Sequence, residues 1–506
     1  MKIELTGNDL TVEQVLQVAL GEAEVRLHAE ARGRMEASRA VVERVLESGA
    51  AVYGVNTGFG KLAEKRIEPD QITQLQVNLV RSHACGVGAA LTDPETRAVI
   101  LLRANALAKG FSGVRPVVVE TLCAMLNSGV HPVIPEKGSV GASGDLAPLA
   151  HLALVLIGEG EARYRGEQLA GGEVMKRAGI APVALEAKEG LSLLNGTQGM
   201  LALLCLALGK AETLADTADV AAALSLDALR GSPTAFDERI AKARPHPGHA
   251  EVARNLLRLN AGSQIRESHR SAERDPRVQD AYSLRCTPQV HGAVRDAIRQ
   301  VKAVVAIELN SATDNPLVFV DRKGGEVLSG GNFHGQPLAM AADQLAVALA
   351  TLGGISERRV ETMTNPLTSL LPAFLTTEPG LNSGFMIAQV TAAALASELK
   401  TQATPHSVDS ISTSGNQEDY VSMGMGAARR LCGMCENLRN ILAIELLAAC
   451  QGIDLLAPLK TGALAQKAYD AVRKVSPKLE ADRALAGDIQ AVAFRIGDAT
   501  FRRILQ

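Results

Sequence analysis

The stretch ARRLCGMCENLRNILAIELLAACQGIDLL, Ala428 to Leu456, decides the architecture. Leu431, Met434, Leu438, Ile441, Leu442 and Ala448 recur at helical spacing. The remaining faces are apolar too, so this helix is expected to be packed on most sides, as in the middle of a bundle. The same Ala- and Leu-rich text, poor in β-branched residues, returns in MLALLCLALGKAETLADTADVAAALSL (200–226) and PLAMAADQLAVALATLGGISERRVE (337–361). HGAVRDAIRQVKAVVAIELNSATDNP (291–316) reads as another long helix, stopped at the Asn315-Pro316 turn. Strand signals are short: AVYGVN (51–56), RYRGEQL (163–169) and LVFVDRKGGEVL (317–328), the last a hairpin around Gly324-Gly325. The expected fold is mainly α. A central bundle of long antiparallel helices, residues 205–506, follows a smaller mixed N-terminal part, residues 1–204.

Composition narrows the function classes. Of 506 residues, 47% are hydrophobic and 21% charged, as in a compact globular chain. A net charge of −3 offers no electrostatic reason for a nucleic acid or an anionic membrane as partner. Aromatic residues are only 3% and Trp is absent, which leaves little from which to build base-stacking platforms or interfacial belts. The seven cysteines are scattered, and with the acidic, unexported-looking N-terminus they point to a reducing, cytoplasmic setting. Cys432 and Cys435 read as buried thiols, and RPHPGH (244–249) as a Pro-restrained loop, so no metal site is expected. The longest uncharged run, Gly190 to Gly209, carries Asn195, Thr197 and Gln198 and is read as a buried segment, not a membrane span.

Gly-rich polar islands interrupt the helical text: YGVNTGFG (53–60), SHACG (82–86), GSVGASGDLAP (138–148), LLNGTQG (193–199), VQDAYSLRC (278–286), SGGNFHGQP (329–337) and GNQEDY (415–420). Several such islands on one rigid scaffold suggest a shared pocket. Gly141-Ala142-Ser143-Gly144-Asp145 is neither a phosphate loop, lacking the GK[ST] ending, nor a GxSxG elbow. A serine in such a place is by default a turn or a helix cap. Glycine at 144, however, lets its amide nitrogen approach the carbonyl carbon of Ala142 and close a five-membered ring. Loss of water, including the Ser143 hydroxyl, would leave an exocyclic methylidene, an electrophile that unmodified side chains do not supply.

GSVGASGDLAPLAH resembles the signature of the aromatic amino acid ammonia-lyase family. The resemblance runs from about residue 50 to beyond 460, through YGVNTGFG, LLNGTQG, VQDAYSLRC, TDNPLVF, SGGNFH, NQED and AIELLAACQGIDLL in order. It implies that Ala142, Ser143 and Gly144 form 4-methylidene-imidazol-5-one, with no external cofactor. It further implies that Tyr53, or secondarily Tyr282, removes the substrate β-proton and that Arg285 holds its carboxylate. Asn195 is expected beside the ring, Gln279 and Phe333 to line or orient it, and Asp145 to assist ring formation. His83 and Glu418 would address an imidazole, since a carboxylate beside the ring matters little to a phenyl group.

Members acting on phenylalanine or tyrosine typically read Gln-Asp where this chain reads Gln417-Glu418, so the substrate implied is L-histidine and the product trans-urocanate. The alternative within the family is a tyrosine or phenylalanine ammonia-lyase or an aminomutase. One departure stands out: Tyr420 occupies the place where histidine-acting members commonly have His. The resemblance also implies a homotetramer with active sites shared between subunits.

Overall fold

The computed structural model describes all residues except 49–51, 59–64, 66, 272 and 276. Phe59 and Gly60 of the first polar island therefore lie outside the described residues. Among those described, the chain forms twenty α-helices and nine strands of two to four residues, in agreement with the expected mainly-α class. By contact it separates into two units, each built from three segments.

The first unit comprises Met1–Gly209, Lys302–Asp343 and Pro405–Leu431. A reciprocal capping box starts its largely buried helix Asp93–Ala108: Thr92 Oγ1 accepts from the Glu95 amide, and a Glu95 carboxylate oxygen accepts from the Thr92 amide. From Ala98 to Ala108 every side chain is buried, Arg103 and Asn105 among them. Three helices pack on one another nearby in the same unit: Ile72–His83, Leu146–Leu156 and Glu189–Leu194. Their ends carry the residues of interest, His83 at the end of the first, Asp145 as the N-cap of the second and Asn195 as the C-cap of the third. Lys188, buried and in left-handed backbone at φ 71°, opens that third helix and places its ammonium 2.9 Å from Asp314. Ser192 donates to the same carboxylate oxygen at 3.0 Å, so the pair is hydrogen-bonded as a buried charge must be.

Two hairpins form in this unit, one where the sequence signals only the strand RYRGEQL and one as expected. Glu161–Tyr164 pairs with Glu167–Ala170, and Leu317–Phe319 with Glu326–Leu328, both antiparallel. Asp321 closes the second turn by accepting from the amides of Lys323 and Gly325, each at 2.8 Å. The expected strand AVYGVN is not one. Val52–Asn56 is a turn, because the Asn56 side chain accepts from the Val52 amide at 2.9 Å and gives the backbone a local alternative to pairing.

The second unit comprises Lys210–Val301, Gln344–Thr404 and Cys432–Gln506. Among the described residues its regular elements are all helices, and its apolar core encloses a polar centre. Glu445 accepts from Ser225 Oγ at 2.8 Å and from Arg359 Nη2 at 3.0 Å, with all three residues buried. Cys435 is buried, its thiol pKa driven well upward by desolvation. One helix end, which belongs to the first unit, differs from expectation. Thr287–Glu308 stops seven residues before Asn315-Pro316. The reason lies in side chains that turn back onto the last carbonyls: Ser311 Oγ donates to Ile307 at 2.7 Å and Asn310 Nδ2 to Ala306 at 3.3 Å. Two helices, Gln198–Ala228 and Gln336–Thr364, are long and apolar enough to cross a membrane, and most of their apolar windows are buried as in core helices.

Candidate active site

A cavity of about 1010 Å³ opens in the first unit, lined by residues of all three of its segments. Tyr53, His83, Ala142, Ser143, Asn195, Phe333 and Glu418 are among its lining residues. Residues nearly four hundred positions apart in sequence thus face one space. Gly144 and Asp145 lie behind the wall, both buried. Gln279, Tyr282 and Arg285 belong to the second unit and are not among the lining residues. There Gln279 and Tyr282 are exposed, and the Arg285 guanidinium carbon stacks 4.4 Å from the centre of the Tyr282 ring.

The Ala-Ser-Gly loop packs closely on a neighbouring peptide. Gly144 has φ +76°, and a Cβ there would sit 2.1 Å from the Gly196 carbonyl oxygen, so no larger residue fits. That oxygen accepts from the Asp145 amide at 2.7 Å, locking the loop to the Asn195-Gly196 edge. Asn195 Nδ2 donates to the Ser143 carbonyl at 2.9 Å, while its Oδ1 is buried and has no hydrogen-bond partner among the described residues. A buried acceptor left unmet is costly, and here it sits beside the residue expected to react. The tight Gly144 turn and this unpaired oxygen fit a loop built for a further covalent state.

Asp145 anchors the loop from within. Its carboxylate accepts from Ser139 Oγ at 2.9 Å and from the Met200 amide at 2.7 Å, capping the first turn of Gln198–Ala228 from a distant part of the chain. Burial pushes its pKa up from 3.8 to about 6, partly offset by these hydrogen bonds. A raised folded-state pKa means that folding takes up a proton between the two values. The stability this group contributes is therefore full below about pH 3.8 and is lost as pH rises through about 6. Asp145→Asn is expected to flatten that part of the stability curve. It should also cost about 1–3 kcal/mol at pH 7, because an amide cannot accept from every donor around it. Urea unfolding of both proteins from pH 4 to 8 measures the two effects together.

On the opposite side, Glu418 is held by Thr413, whose hydroxyl donates to Oε2 at 2.7 Å. Oε1 accepts from the Ser143 hydroxyl at 3.0 Å, so this carboxylate and the loop serine face each other directly. His83 Nδ1 lies 2.8 Å from the Leu79 carbonyl oxygen, which can only accept; the ring proton is thereby assigned to Nδ1 and Nε2 is left as an acceptor. Sequence reading missed His334, whose ring stacks on Tyr420 with centroids 6.1 Å apart and planes 17° apart. Both line the cavity. The only sequence signal was its place in the island 329–337. Among the described residues no group of three or more His, Cys, Asp or Glu could hold a metal ion.

This arrangement, a closely packed Ala-Ser-Gly turn in a cavity of a mainly helical protein, belongs to a known family. The pattern described as "Aromatic amino acid lyase" matches residues 10–474, and the chain belongs to that family. It is 57% identical over 500 residues to a histidine ammonia-lyase of Koribacter versatilis, covering 97% of this chain and 96% of that protein. Among solved structures, histidine ammonia-lyase from Trypanosoma cruzi is 44% identical with a TM-score of 0.92, covering 100% of this chain and 95% of that one. Tyrosine aminomutase from Streptomyces globisporus is 40% identical with a TM-score of 0.95, covering 100% and 98%. The backbone is thus shared between proteins named for different substrates, and the site must discriminate.

Proposed function

We propose that this chain is a carbon–nitrogen lyase that eliminates ammonia from L-histidine, without oxidation, to give trans-urocanate. The observation that carries the reading is the 3.0 Å hydrogen bond between Ser143 and Glu418. It brings the reacting loop and an imidazole-seeking carboxylate to one cavity. The identity to proteins named histidine ammonia-lyase supports it.

The family is known for 4-methylidene-imidazol-5-one, and Ala142-Ser143-Gly144 would form it here. The Gly144 nitrogen bonds to the Ala142 carbonyl carbon, whose oxygen leaves as water with the amide protons of Ser143 and Gly144. The Ser143 hydroxyl leaves as a second water with the Cα proton. The group would then supply an electrophile that makes the substrate's amino group a better leaving group.

The chain's own residues do the rest. Tyr53 takes the β-proton. Asn195, already donating to the Ser143 carbonyl, fixes the amino end of the substrate beside the ring, and Phe333 closes that side. Once the Ser143 hydroxyl has left, Glu418 Oε1 loses its donor and is free to accept from the substrate imidazole. His83 Nε2 faces the same group as a second acceptor. Arg285 grips the carboxylate with two parallel N–H donors, and Gln279 and Tyr282 come with it.

Because those three do not line this chain's own cavity, we assign them to a cavity of a neighbouring subunit in a homotetramer. Large apolar side chains left exposed, Val278 at 97% and Leu367 at 92%, support association. A cytoplasmic setting follows from the reducing-compartment reading of the cysteines.

Each elimination makes a conjugated acrylate, so ultraviolet absorbance with L-histidine, L-tyrosine and L-phenylalanine tests the reading. Signal with histidine alone is expected; signal with tyrosine or phenylalanine instead would sink the substrate assignment. In the same assay Glu418→Gln should lower kcat/KM for histidine about 10- to 100-fold, the scale of one charge-assisted hydrogen bond. Any residual tyrosine turnover should change far less. An equal loss on both would make Glu418 a general participant and not a selector.

A further inference from the structure

Arg103 is fully buried in the helix Asp93–Ala108, and its guanidinium is poorly satisfied. Among the described residues only Nη1 has hydrogen bonds, to the Asn195 carbonyl at 2.9 Å and to Gln198 Oε1 at 2.7 Å; Nε and Nη2 have none. The carboxylate that attracts it, Asp314, already accepts from Lys188 and Ser192. Burying a guanidinium with donors unmet is costly, and a purely structural role would be met as well by an apolar side chain.

What the guanidinium touches suggests its use. A Cβ on Gly196 would lie 2.4 Å from Arg103 Nη1, and a Cβ on Gly144 would lie 2.1 Å from Gly196 O. Guanidinium, Gly196 peptide and Gly144 peptide are therefore three layers with no slack between them. Gln198 is itself fixed, its Nε2 donating to Thr313 Oγ1 at 2.8 Å.

We propose that Arg103, steadied by Gln198 and Thr313, is a positioning residue that backs the Asn195-Gly196 edge and so holds Gly144 in the turn from which the ring closes. The inference rests on the electrophile reading above. It adds a determinant of ring formation that never touches substrate.

The test is intact mass followed in time after expression is stopped, on wild type, Arg103→Lys and Thr313→Val. Ring formation removes two waters, about 36 Da. A lysine ammonium ends about 1.3 Å short of Nη1, one C–N bond. Arg103→Lys is expected to fold with unchanged circular dichroism and to acquire the mass deficit about 10- to 100-fold more slowly. A merely structural role would lower Tm and leave the deficit complete at the wild-type rate, and that result overturns the proposal. Should Arg103→Lys fail to fold, the near-isosteric Thr313→Val decides. Slowed maturation supports the strut, and wild-type maturation removes it. A wild-type protein without the deficit would instead overturn the electrophile reading, and this inference with it.

Discussion

Ser143→Ala is expected to yield a folded protein whose kcat on L-histidine is lower by about 10³-fold or more, the scale of losing a group that acts on the departing bond. Position 143 is only half-buried, and among the described residues its hydroxyl makes one hydrogen bond, to Glu418. Because the wild type itself gives up that hydroxyl when its ring forms, stability should change by no more than about 1 kcal/mol, the typical net worth of one such bond. Alanine has no hydroxyl to lose, so no methylidene forms and the full mass deficit cannot appear. Intact mass and the absorbance assay on one preparation separate this from misfolding. Undiminished turnover in a chain without the deficit would place the electrophile elsewhere.

Tyr53→Phe should cut kcat by about 10²- to 10⁴-fold with little change in KM, as expected for a general base that contributes little to ground-state binding. Tyr53 stands in the Val52–Asn56 turn and lines the cavity, whereas Tyr282 is exposed and stacked on Arg285. Tyr282→Phe, which keeps the ring on which Arg285 stacks, is accordingly expected to have the smaller effect on kcat. The opposite ranking would move the base to Tyr282.

The helical class was legible because Ala428–Leu456 and its counterparts carry their periodicity locally. The hairpin at Gly324-Gly325 was legible for the same reason. The Val52–Asn56 turn was not, since a single side-chain hydrogen bond from Asn56 decides against a strand that the residue types favour. The early end of Thr287–Glu308 depends likewise on where two polar side chains turn. For the site, the reactive triplet could be recognised from its own residues. The Ser143–Glu418 contact joins positions 275 apart, and nothing local announces it. Arg103 was invisible for a different reason: within Asp93–Ala108 it reads as an ordinary polar position in a helix. Only its burial and its unmet donors mark it.

The contact between Gly144 and Gly196 bears on how this protein can be altered. A side chain at Gly144 would strike the Gly196 peptide, and one at Gly196 would strike Arg103 and Gln198, so a larger residue at either is expected to displace the loop. Directed evolution toward new amino acid substrates should find that floor closed to drift. Variation is expected instead at Gln417, Asp419, Tyr420 and His334, which line the cavity without belonging to the reacting loop.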